Sequence, residues 1–155
     1  MPSSYRMICL PTLACVVAIA WSALATPQTL AAELHDTSVI GQWKLTSVLD
    51  SADVSGLDDD EARKLVGKVL KISKDNVQIG AKVCDSPDFE VISGDRNEYF
   101  KRRVHASPEK LGLPDPVTSV HINCAYVYKK TPDRLVLNWQ GVFFDAVRQR
   151  PKRKN

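Results

Sequence analysis

The chain is short of the residues on which most catalytic chemistry is built, with three histidines, four cysteines and seven glycines among its 155 residues. His35, His105 and His121 are too far apart to form the paired ligands of a helical zinc site. A Gly-x-Ser-x-Gly elbow and a glycine-rich phosphate loop are both missing. The first gap sets aside an α/β-hydrolase, and the second a phosphate-loop enzyme. Cys-x-x-Cys pairs and the alternating Asp-x-Asp-x-Asp-Gly calcium loop are missing too, which weakens redox, zinc and calcium readings. The expectation is a protein that is not an enzyme, with no catalytic residue, no cofactor and no metal ligand.

Long uninterrupted apolar runs are also lacking. Residues 7–24 are apolar for the most part, but Pro11 and Thr12 break a run that would need about 20 residues to span a membrane. Arg6 precedes this stretch and Ala23-Leu24-Ala25 ends it, which is the layout of a secretory signal peptide. We read residues 1–25 as that signal, with a site near Ala32 as the competing cleavage point, and 26–38 as an N-terminal extension. The alanine-rich core of the signal points to a bacterial periplasm. Lipidation at Cys15 is disfavoured because Thr12 stands where a lipobox carries leucine.

Cleavage leaves about 130 residues, enough for one domain with one core. It also removes Cys9 and Cys15, so Cys84 and Cys124 remain as an even pair in an oxidising compartment, and we expect a disulfide. The chain carries 21 basic and 18 acidic residues, a balance that gives no distributed basic face for nucleic acid. The excess sits at the end, in Arg148, Arg150, Lys152, Arg153 and Lys154. Residues 149–155 read as a solvated basic tail, with weak contact to an anionic surface as the alternative.

Between signal and tail, residues 39–148 alternate apolar and polar side chains over most of their length. A first strand is expected over 39–48. Acidic Asp58 to Glu61, later basic residues and Gly67 predict a short helix at 58–66. The turn at Lys74-Asp75-Asn76 separates Leu70 and Ile72 from a strand carrying Val77, Ile79, Ala81 and Val83. Further strands are expected at 89–93, 99–104, 117–130, 135–139 and 142–148, with a turn at Thr131-Pro132-Asp133 and a proline-punctuated loop at 105–116. About eight antiparallel strands with one helix between the first two predict an all-β, up-and-down barrel, with a β-sandwich as runner-up. Phe89, Tyr126, Trp139 and Phe144 are candidates for its inner face.

Gly41-Gln42-Trp43 on the first strand, with Arg148 near the end of the last, resembles the Gly-x-Trp and terminal arginine of the lipocalin-like, or calycin, barrels. The resemblance implies that Gly41, Trp43 and Arg148 close the barrel, the guanidinium packing over the indole where first and last strands meet. It also implies a gating segment between the first two strands, which makes Leu57, Leu65 and Val66 candidates for a lid. His121 and Asn123 read as one face of a strand and as candidate ligand contacts. Two functions follow as expectations. One is a secreted, lipocalin-like binding protein holding a small apolar molecule; the other is a module that engages a secreted or periplasmic protein, such as a hydrolase inhibitor.

Overall fold

Period-two alternation produces nine strands, all in antiparallel ladders. The computed structural model describes residues 34–150. The expected signal at 1–25, most of the 26–38 extension, and the tail beyond Arg150 lie outside the described residues. A 3-10 turn at Thr37–Val39 leads into β1 (Gly41–Ser51). After α1 (Asp59–Leu65) come β2 (Val69–Ile72), β3 (Asn76–Ile79), β4 (Lys82–Asp85) and β5 (Val91–Gly94). A helical stretch follows: α2 (Arg96–Tyr99), a π turn (Phe100–Val104) and α3 (Pro108–Leu111). The chain finishes with β6 (Val117–His121), β7 (Tyr126–Thr131), β8 (Arg134–Trp139) and β9 (Val142–Arg148).

The strands form one curled half-barrel sheet in the order β4-β3-β2-β1-β9-β8-β7-β6-β5. First and last strands are therefore neighbours at its centre, with Trp43 opposite Arg148 and Ser51 opposite Val142. Register shifts between Leu45 and Ser47, and between Val48 and Asp50, interrupt β1. Such bulges raise the local twist and curl the sheet, so β1 can pair β2 through Gly41 to Lys44 while following β9 to its end.

The edge strands β4 and β5 are consecutive in the chain, and no ladder joins them among the described residues. Other links cross this seam. Cys84 of β4 is bonded to Cys124 with Cα atoms 6.2 Å apart, the pairing that the cysteine count predicts. The Asn123 amide donates to the Asp85 carbonyl at 2.6 Å. Residues 34–36 lie along the free edge at the start of β5, where the Asp36 N–H bonds the Phe89 carbonyl and the Val91 N–H bonds the Leu34 carbonyl.

Inward-facing side chains form the main core. Trp43, Leu45, Leu70, Ile79, Leu135, Leu137 and Phe144 are each no more than 2% exposed. The outer face of β6 to β9 is apolar as well, through Val117, Tyr128, Val136 and Phe143. Tyr99, Phe100, Leu111 and Leu113 cover it, and the Tyr99 hydroxyl bonds the Ser119 hydroxyl at 3.0 Å. Without the helical stretch this face would meet water.

The structure corrects several expectations. The expected closed barrel of eight strands is a half-barrel of nine, and α1 is not its only helix. The strand expected through Val83 reverses at Gly80 and Ala81 to give β3 and β4, with Gly80 at φ 58°. The stretch 117–130 reverses as well: Asn123 takes φ 68° and the Ile122 N–H bonds the Ala125 carbonyl at 2.9 Å. His121 and Asn123 therefore do not share a strand face. The strand expected at 99–104 is helical, because Asp95 accepts the Glu98 N–H at 2.8 Å and starts a helix there. Phe89, Trp139 and Phe144 do point into the core, whereas Tyr126 is 38% exposed.

Candidate functional site

At the end of the sheet where β1 begins and β9 finishes, the Arg148 guanidinium lies over the Trp43 ring, 4.0 Å from its centroid. Gly41 makes this approach feasible. Its φ is 149°, and a Cβ there would come within 2.8 Å of Arg148 Nη1. Arg148 donates to the carbonyls of Ser38 at 2.7 Å, Ile40 at 3.1 Å and Pro132 at 3.3 Å. The Trp43 indole N–H donates to the Val39 carbonyl at 2.8 Å. Gly41, Trp43 and Arg148 thus tie the 3-10 turn and the β7–β8 turn to the central strand pair.

Beside this knot opens a cleft of roughly 600 Å³. Its apolar lining includes Val39, Trp43, Pro114, Pro132 and Leu135, and four cations line it as well: Lys129, Lys130, Arg134 and Arg148. Two carboxylates face those four charges. Lys129 reaches Asp36 at 2.7 Å, while Lys130 and Arg134 share Asp145 at 3.2 Å and 2.6 Å. Among the described residues Arg148 has no carboxylate partner, since its hydrogen bonds all go to neutral carbonyls. Burial works against ionising Asp145, but hydrogen bonds from Arg134, Thr46 and Lys130 outweigh it and hold the carboxyl below the usual range. Asp36 is also held low, with burial outweighed by Lys129 and Ser38. The cleft therefore combines an apolar floor with a surplus of positive charge.

The candidate lid sits elsewhere. Residues 52–57 leave β1 at the end away from Arg148, and the Gly56 N–H bonds the Gln140 carbonyl in the β8–β9 turn. Asp58 and Glu61 form a capping box that starts α1. Leu57 and Leu65 pack against the main core, and Ala62 is the helix residue buried in it. Val66, the third lid candidate, is 37% exposed because as the extended C-cap it already leaves the helix.

His121 and Asn123 lie at the seam. His121 Nδ1 is 2.8 Å from Asp88 Oδ2, and its ring rests on Tyr126 with centroids 4.7 Å apart. Burial would raise the Asp88 pKa, yet the His121 hydrogen bond and charge, with backbone N–H groups, hold it below the usual carboxylate range. Glu90 joins them, so that one ligand-type atom each from Asp88, Glu90 and His121 lies within 4.8 Å of the others. Sequence reasoning missed this group because it tested helical histidine spacing, whereas strand pairing brings these residues together. The available signal was Asp88-x-Glu90 in a strand-like stretch. No helix among the described residues is long and apolar enough to cross a membrane. No family model matches this chain, and no curated protein or solved structure is significantly similar to it.

Proposed function

We propose that this is a non-enzymatic binding protein of an extracytoplasmic compartment, with a lipocalin-like half-barrel whose ligand is a small molecule with an apolar body and an anionic group. The observation that carries the reading is the cleft at the Trp43 and Arg148 end. Its volume of roughly 600 Å³ suits one small ligand, its floor is apolar, and four cations face two carboxylates. The tight packing of the inner face supports this end, rather than the barrel axis, as the place for a ligand. The disulfide is in keeping with an oxidising compartment such as the periplasm.

Titration with the anionic fluorophore anilinonaphthalene sulfonate, against neutral phenylnaphthylamine, tests the reading. The native protein should bind the anionic probe saturably, one per chain, and more tightly than the neutral one. Lys129→Met and Arg134→Met should each weaken binding, and added salt should do the same. Leu65→Asp, at the other end, should leave affinity unchanged. Failure of the folded protein to bind either probe would overturn the small-molecule reading. One observation favours the second reading, a module for a secreted protein partner: β4 is an edge strand with Val83 54% exposed, a surface to which a partner strand can add.

A further inference from the structure

We propose that Asp88, Glu90 and His121 form a binding site for a divalent ion of the zinc type. Phe89 turns into the core between Asp88 and Glu90, so both carboxylates stay on the exposed side of the chain. The pairing of neighbouring segments then brings the His121 imidazole beside Glu90. On one side the His121 N–H bonds the Glu90 carbonyl at 2.8 Å, and on the other His35 forms an antiparallel bridge with Glu90. Residues opposite one another in antiparallel pairs project to the same face with Cβ atoms about 5 Å apart. His35, Glu90 and His121 therefore form one rung across three adjoining segments.

Asp88, Glu90 and His121 already bring their donor atoms within 4.8 Å of one another. Closing onto zinc, with bonds of about 2.0–2.2 Å, requires only side-chain adjustment. The Tyr126 ring fixes the plane of His121. His121 Nδ1 and Asp88 Oδ2 lie 2.8 Å apart, and zinc bound to both would replace the contact between them. Imidazole with carboxylate favours zinc over calcium or magnesium, which prefer all-oxygen shells. The site lies at the seam near the disulfide, so an ion there would join the β4–β5 connection to β6.

The test is calorimetric titration of the metal-stripped, disulfide-bonded protein with zinc sulfate, alongside thermal unfolding. One zinc ion per chain should bind, and unfolding should move to higher temperature as zinc is added. Glu90→Gln, an exposed change that leaves the His121 and Asp88 pair intact, should weaken affinity by about tenfold or more, and His121→Ala should do the same. Cobalt should give the visible absorption of a tetrahedral nitrogen and oxygen site, lost in Glu90→Gln. No zinc binding at millimolar concentration, or binding unchanged in a folded Glu90→Gln protein, would overturn the site.

Discussion

Arg148 joins parts of the chain that are 108 residues apart, and it does so without a counter-charge. Its plane stacks on Trp43, and its fork satisfies carbonyls in two separate turns. Arg148→Ala should lower stability by about 2–3 kcal/mol, the loss of the stack together with that of the hydrogen bonds. Arg148→Lys should recover less than half of that, since an ammonium group can neither lie flat on the indole nor reach the carbonyls at once. The denaturant midpoints of the three proteins measure this, and equal midpoints would show the knot to be ornamental. These residues were legible in the sequence because their types are unusual where they stand: a glycine and tryptophan on a first strand, an arginine on a last. His121 was legible only as a polar side chain, since its partners Asp88 and Glu90 come from another segment of the sheet.

The secondary-structure elements divide by whether local signals and tertiary context agree. β1, α1, β8 and β9 were readable, since alternation, acidic N-termini and glycine stops all pointed the same way. The helical stretch at 96–111 was not. Tyr99, Phe100 and Val104 suit a strand, yet Asp95-x-x-Glu98 is the same type of start signal that Asp58-x-x-Glu61 provides for α1. The reversal at 122–125 lacks glycine and proline, and rests on the tolerance of asparagine for left-handed backbone. What decided the helical stretch was the apolar outer face of β6 to β9, a need invisible until the sheet is assembled. Phe100, fully buried against Tyr128 and Phe143, should therefore matter as much as a residue of the main core. Phe100→Ala should cost about 3–4 kcal/mol in chemical denaturation, and a change under 1 kcal/mol would reduce this stretch to decoration.

For the whole molecule, stability depends on what happens at the seam and on its low-pKa carboxylates. The disulfide spans 40 residues, so its reduction should cost about 2–4 kcal/mol by loss of restraint on the unfolded chain. Urea unfolding with and without a phosphine reductant measures this, and coincident curves would contradict it. Asp36, Asp88 and Asp145 all have folded pKa values held below the ordinary value of an unfolded aspartate. Their stabilisation is complete above that unfolded value and is lost as pH falls from it through the folded values. The melting temperature should therefore fall steeply below about pH 4. Asp145→Asn should lower it at neutral pH, by leaving Lys130 and Arg134 without their carboxylate, and make the acid limb shallower. An acid limb identical to wild type would exclude Asp145 as a source.

The strand order also fixes when the molecule can exist. Because β1 lies beside β9, the middle of the sheet is completed only by the last of its strands to be made, and residue 148 must emerge before the halves can meet. Until then β1 to β4 and β5 to β8 are two meanders joined through residues 86–90, each with an apolar side uncovered. A premature stop upstream of β9 would yield a ward for holding chaperones rather than a smaller working protein.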